Sequence, residues 1–235
     1  MAEEKLGVKL GSNVHEIDLG RVKTFLVETK DGKLILIDTG LPKSEKKIIK
    51  YINSIGKSVS DVKYIFLTHA HIDHFGSAYA MQKLTGAHVG IHSNGIKFIN
   101  GESGLLLPKP KQPSSAQTKF MMSFMKFFLA LNKPKFLKPD MALKEGVMPA
   151  DMGVDLKILE TPGHTSDSIS VYLPESKVVI IGDMLYGGPS KLVIPRFFDD
   201  YVTLLNSINK IKSLGQDVTV CVSHGKDHTV ADIEI

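Results

Sequence analysis

Residues 68–74 read Thr-His-Ala-His-Ile-Asp-His, and this stretch constrains the fold more than any other. Three imidazoles and a carboxylate fall within six residues, directly after the short apolar run Tyr64–Leu67. Imidazole nitrogen and carboxylate oxygen are ligands for first-row transition metals, and a loop leaving a strand end can turn several of them to one point. The plain alternative is a patch of surface histidines. So dense a pattern directly after a strand favours the metal loop.

The flanking sequence supplies the scaffold. A chain of 235 residues has the length for one large core and is tight for two, so a single domain over 1–235 is expected. Val22–Glu28 and Lys33–Asp38 read as strands joined by a tight turn at Lys30-Asp31-Gly32. Ser44 reads as the N-cap of a helix with Ile48, Ile49, Ile52 and Ile55 at helical spacing, stopped by Gly56. Tyr64–Leu67 is a strand, Phe75–Leu84 a helix ending at Gly86, and Ala87–Ile91 a further strand. Beyond residue 150, Leu156–Leu159, Ser168–Tyr172 and Val178–Ile181 read as strands. A helix over Tyr201–Leu214 and a strand over Val218–Val222 follow. Strands and helices alternate in both halves, which predicts a mixed α/β architecture.

Composition matters mainly for where the charge lies. The formal net charge is +4, yet residues 105–147 carry eight lysines against Asp140 and Glu145. The same segment holds five phenylalanines and four methionines, so it reads as an insertion with its own task. Within it, Lys119–Leu131 predicts a helix with Phe120, Phe124, Phe127, Phe128 and Leu131 on one face. Such a helix covers a groove of its own domain, acts as a lid, makes a homodimer contact, or lies on an anionic membrane surface. Only Arg21 and Arg196 are arginines among 29 basic residues, which argues against a nucleic-acid partner. One cysteine, Cys221, excludes an intrachain disulfide and reads as a buried thiol. No apolar run reaches membrane-span length and no signal-like stretch follows the N-terminus, so a cytoplasmic location is expected.

The pattern His-x-His-x-Asp-His resembles the signature of the metallo-β-lactamase superfamily, and the resemblance extends over nearly the whole chain. Leu36-Ile37-Asp38-Thr39-Gly40 lies upstream, and Thr161-Pro162-Gly163-His164-Thr165 is similar to the second histidine motif. Ile181-Gly182-Asp183 and Ser223-His224-Gly225 follow in the family's order. The resemblance implies a four-layer αββα sandwich with a dinuclear site. His69, His71 and His164 would hold one metal, Asp73, His74 and His224 the other, with Asp183 bridging. Without the family, the same residues fall at strand ends, where α/β sites are built, and seven oxygen and nitrogen donors suit two ions. Without a cysteine ligand, zinc is the default, with iron and manganese also tolerable. Asp38 would stand behind the ligands and orient the motif loop or a histidine; otherwise it caps a turn with Thr39-Gly40. His15, His88, His92 and His228 have no motif partner and read as ordinary residues.

Two metals about 3.5 Å apart share a water and lower its pKa towards about 7, which gives hydroxide at neutral pH. Hydrolysis of a small-molecule substrate is therefore the expected reaction, with Asp73 also helping to orient the nucleophile. Tyr186, three residues after Asp183, is similar to a tyrosine of the lactonase branch that assists the substrate carbonyl or leaving group; otherwise it packs beneath the insertion. Hydrolysis of a lactone or other carboxylic ester is the leading expectation. The alternatives are a glyoxalase II-like thioesterase, a β-lactam or phosphodiester hydrolase, and a lipid hydrolase at a membrane surface. The glyoxalase II type carries a C-terminal helical domain, whereas this sequence runs eleven residues past His224.

Overall fold

The computed structural model describes residues 6–109, 123, 132–148 and 152–235. One sheet takes seven strands in sequence order: β1 (Gly7–Leu10), β2 (Val14–Asp18), β3 (Lys23–Glu28), β4 (Leu34–Ile37), β5 (Val62–Phe66), β6 (His88–His92) and β7 (Met141–Leu143). Pairing is antiparallel from β1 to β4 and parallel from β4 to β7. The second sheet contains β8 (Gly146–Val147), β9 (Lys157–Glu160), β10 (Ile169–Leu173), β11 (Val178–Ile180), β14 (Thr219–Cys221) and β15 (His228–Thr229). Its order is β15-β14-β11-β10-β9-β8. A short ribbon, β12 (Tyr186–Gly187) with β13 (Leu192–Val193), lies outside both. The helices are α1 (Glu45–Ser54), α2 (Ile72–Phe75), α3 (Ala78–Thr85), α4 (Ile96–Ile99) and α5 (Tyr201–Lys212).

Strand alternation sorts the apolar residues into three cores and so fixes four layers. In β4, Leu34 and Leu36 face α1 with Ile48 and Ile52, while Ile35 and Ile37 face the other sheet. The inter-sheet core adds Phe25, Val27 and Phe66 from one side and Ile158, Val171, Ile180 and Cys221 from the other. In β11 the pattern repeats: Val178 and Ile180 point inwards, and Val179 packs outwards with Leu204, Ile208 and Ile211 of α5. The result is the αββα sandwich. Cys221 is fully buried, and burial pushes its thiol far above the usual range.

Most expected elements form within a residue or two of their bounds, with two local differences. Ser44 precedes α1 but makes no side-chain cap; its backbone is already helical, and its N–H donates to Ser77 Oγ at 2.9 Å. The expected helix over 75–84 divides into α2 and α3. The break falls at Gly76, where a Cβ would lie 2.4 Å from Ile72 O and 2.5 Å from Pro42 Cδ. Residues 141–147 of the basic segment supply β7 and β8 and so join both sheets. The expected helix over 119–131 lies outside the described residues. Among the described residues, no helix is long and apolar enough to cross a membrane.

Candidate metal centre

The residues singled out by the motifs all follow strand ends, and the fold brings them to one place. Asp38 follows β4, His69–His74 follow β5 into α2, His164 follows β9, Asp183 follows β11 and His224 follows β14. β4 and β5 run parallel, as do β11 and β14, so each pair delivers its following loops to one edge, which is why residues far apart in sequence converge.

The donors form two groups. In the first, His69 Nε2 lies 2.9 Å from His71 Nδ1, which lies 3.1 Å from His164 Nε2. Asp183 completes that group, with Oδ2 3.7 Å from His164 Nε2. In the second, His224 Nε2 is 3.3 Å from Asp73 Oδ2, and His74 Nε2 is 3.9 Å from Asp73 Oδ1. The other oxygen of Asp183, Oδ1, is 3.2 Å from His74 Nε2 and 3.4 Å from His224 Nε2. One carboxylate thus presents an oxygen to each group.

The nitrogens turned away from the centre hold the rings. His74 Nδ1 lies 2.8 Å from Asp38 Oδ2, His164 Nδ1 lies 2.8 Å from the Phe197 carbonyl, and His224 Nδ1 lies 2.8 Å from the Arg21 carbonyl. Acceptors there keep a proton on the outer nitrogen, so the inner nitrogen carries the lone pair whenever the ring is neutral. His69 Nδ1 is 3.1 Å from Thr68 Oγ1, whose hydroxyl donates to Asp38 Oδ2 at 2.7 Å. Asp38 also accepts the Thr68 N–H at 2.8 Å, and Thr39 donates to the His74 carbonyl through both its N–H and its hydroxyl.

Electrostatics divide the groups. Burial, reinforced by neighbouring imidazoles, holds His69 well below the ordinary histidine range and His71 at about 3. Burial also lowers His164, with Asp183 offsetting part of the effect. In the second group burial opposes the charged imidazoles but loses to the carboxylates. Asp183, Asp38 and Asp73 hold His74 well above its ordinary value, and Asp183 with Asp73 raises His224 to about 10. Against the opposing effect of burial, His74 and His224 hold Asp73 at about 2 and Asp183 well below the carboxylate range.

The donor set fits metal ions. His74 Nε2 and Asp183 Oδ1 are buried 3.2 Å apart as an ion pair, but no aligned hydrogen bond joins either atom to a partner among the described residues. Buried polar atoms without an aligned hydrogen bond are rare and costly, and a cation between these two, in place of the imidazole proton, satisfies both. Burial favours neutral nitrogens in the first group, whereas a cation entering the second must displace protons. Metal uptake is therefore expected to be staged. A chelator-competition titration should give one tight equivalent at pH 6 and two at pH 8, with proton release accompanying the second. Equal binding of both equivalents at the two pH values contradicts this division. The stability that the raised His224 lends the metal-free protein is complete below about 6.5 and is lost as pH rises through about 10.

Tyr186 in β12 donates to Asp183 Oδ2 at 3.1 Å, and its ring lies 5.0 Å from that of His224. Burial, then the Asp183 and Asp73 carboxylates, push its phenol far above the ordinary value, so it keeps its proton. Three supports lie outside the motifs. The Arg21 and Phe197 carbonyls are backbone groups and carry no sequence signal. Asp167, fully buried, accepts the N–H of Ala70 at 2.8 Å and so grips the peptide between His69 and His71. Its one signal is its position three residues after His164.

A family model described as the metallo-beta-lactamase superfamily matches residues 17–224, and the chain belongs to that superfamily. It is a metal-dependent hydrolase of that fold. Hydroxyacylglutathione hydrolase GloC of Haemophilus influenzae is 30% identical over 172 residues, 72% of this chain and 72% of the relative. The Beta-lactamase-like protein 2 homolog of Caenorhabditis elegans is 28% identical over 205 residues, which cover 87% of this chain and 56% of that protein. Among solved structures, BLEG-1 B3 metallo-beta-lactamase superposes with a TM-score of 0.69 at 22% identity, covering 93% of this chain and 95% of that one. TTHA1623 in a di-iron-bound form superposes with a TM-score of 0.64 at 21% identity, covering 95% and 96%.

Proposed function

We propose that His69, His71, His164, Asp73, His74 and His224 hold two divalent ions bridged by Asp183, and that the chain hydrolyses an activated carboxylic acyl bond. The observation that carries this reading is the Asp183 carboxylate, which offers Oδ2 to one group of donors and Oδ1 to the other. When bound, such ions supply Lewis acidity and lower the pKa of a shared water from 15.7 towards about 7. Nitrogen and oxygen donors without sulfur suit zinc, iron or manganese. Zinc is our default, and the di-iron form of a structural neighbour keeps iron in view.

The side chains supply the rest. Asp73 lies in the second group and is partly exposed, so it is suited to accept a hydrogen bond from the attacking water and aim it. Tyr186 is a protonated donor beside Asp183 and suits the acyl oxygen or the leaving group as charge builds there.

For the acyl group, lactones and carboxylic esters are favoured by Tyr186. A thioester is the second reading, supported by relatives named hydroxyacylglutathione hydrolase, in Haemophilus influenzae and in Prochlorococcus marinus. A panel of lactones, esters, thioesters, β-lactams and phosphodiesters on metal-loaded protein tests both. Acyl substrates are expected to win, and a phosphodiester winner overturns the acyl assignment. Tyr186→Phe is expected to lower kcat on the best acyl substrate by about 10²-fold with metal content unchanged. Unaltered turnover removes the tyrosine from the acyl step.

A further inference from the structure

We propose that Asp227, paired with Lys23, is a positioning residue for His224 and sets the metal affinity of the Asp73–His74–His224 group independently of the other group. The inference rests on the reading that both groups hold ions.

His224 is the one donor of its group that comes from the second sheet, and its ring is aimed from the first. The Arg21 carbonyl accepts from His224 Nδ1 at 2.8 Å, and the Lys23 N–H donates to the Ser223 carbonyl at 2.9 Å. Residues 21–23 therefore run alongside 223–224, and whatever locks these two stretches together fixes the ring.

A side-chain clasp does so. Lys23, 8% exposed, donates from Nζ to Asp227 Oδ1 at 2.5 Å and to Glu16 Oε2 at 2.7 Å. The same Asp227 oxygen accepts the N–H of Val222 at 3.1 Å. Asp227 thus closes its own turn, residues 222–227, and ties that turn to the start of β3. A charge-assisted bond with little water around it holds geometry better than an exposed pair. None of these contacts reaches His69, His71 or His164.

The turn has a second, backbone hold. Gly187 donates to the His224 carbonyl at 2.8 Å, and Lys226 donates to the Gly187 carbonyl at 3.3 Å. A Cβ on Gly187 would lie 1.9 Å from Lys226 O, and one on Gly225 would lie 2.1 Å from Gly187 O. Close backbone contact keeps the turn in place when the Asp227 side chain is removed. What the clasp adds is the aim of His224.

The experiment is zinc titration against a chromophoric chelator at pH 8, for wild type, Asp227→Ala, Asp227→Asn and Glu16→Gln, with melting of each protein in chelator. Asp227→Ala is expected to weaken the second zinc by roughly 10–100-fold, the range seen when a support behind a ligand is lost, and to leave the first unchanged. Asp227→Asn retains an acceptor for Val222 and should fall between; it serves as the test if the alanine variant does not fold. Glu16→Gln leaves the Lys23–Asp227 pair in place and should bind both ions as wild type does. A purely structural role would lower melting or weaken both ions together, so the ratio of the two affinities is the deciding readout. An unchanged ratio in the Asp227 variants overturns the proposal. Wild-type protein that fails to bind two zinc ions overturns the metal reading itself, a separate result.

Discussion

Asp183→Ala is expected to abolish turnover and to release both ions. The carboxylate stands between the two groups, 3.2 Å from His74 and 3.7 Å from His164, so its loss opens both at once. It also removes a negative charge that offsets two imidazoles of the second group. If the ions contribute several kcal/mol of transition-state stabilisation, turnover should fall roughly a thousandfold or more, at about 1.4 kcal/mol per tenfold. Elemental analysis after desalting should fall from near two ions per chain to below one. Asp183→Asn keeps an oxygen without the charge and should fall between. Two retained ions with wild-type turnover in the alanine variant would falsify the bridging role.

The second large effect is expected at Asp38, outside the donor set. Its carboxylate, fully buried, serves the Thr68 N–H, the Thr68 hydroxyl and His74 Nδ1 at 2.7–2.8 Å. Asp38→Ala strands all three, and removing one partner of a buried ionic network costs about 3–5 kcal/mol. The backbone adds to this, because Asp38 sits at φ 62, a left-handed conformation that costs most residues roughly 1–2 kcal/mol and that Asn tolerates. Asp38→Asn should therefore lose clearly less. Urea unfolding in chelator isolates the fold from metal linkage. An alanine variant within about 0.5 kcal/mol of wild type, the ordinary range for surface changes, would leave Asp38 as a turn residue only.

The candidate donors are legible in the sequence because each comes from a short local pattern at the end of an apolar run, and the topology then brings the patterns together. The core strands were readable for a similar reason: Leu34–Ile37 and Val178–Ile180 are continuous apolar runs buried on both faces. The hairpin β1–β2 leaves little signature in the sequence because GVKL and VHEID alternate weakly and carry charge. Strands of two or three residues, such as β8, β12 and β15, are too short for any periodicity to register. The supports of the site are harder still. Lys23 and Asp227 lie 204 positions apart, Asp167 grips a residue 97 positions earlier, and the Arg21 and Phe197 contacts involve no side chain on the accepting residue. Each is a product of the finished fold.

The division of the donors between the two sheets also has a consequence for biogenesis. A ribosome delivers His69, His71, Asp73 and His74 long before His164, Asp183 and His224, and domains generally fold as units during or after synthesis. On the proposed ligand set, the nascent chain carries a half-built chelator until Asp183 completes one group, 109 residues after His74, and His224 completes the other 41 residues later. Loading is then a late step of maturation. The identity of the ions in the mature protein would reflect which metals are free in its surroundings at that moment, as well as the preferences of the finished site.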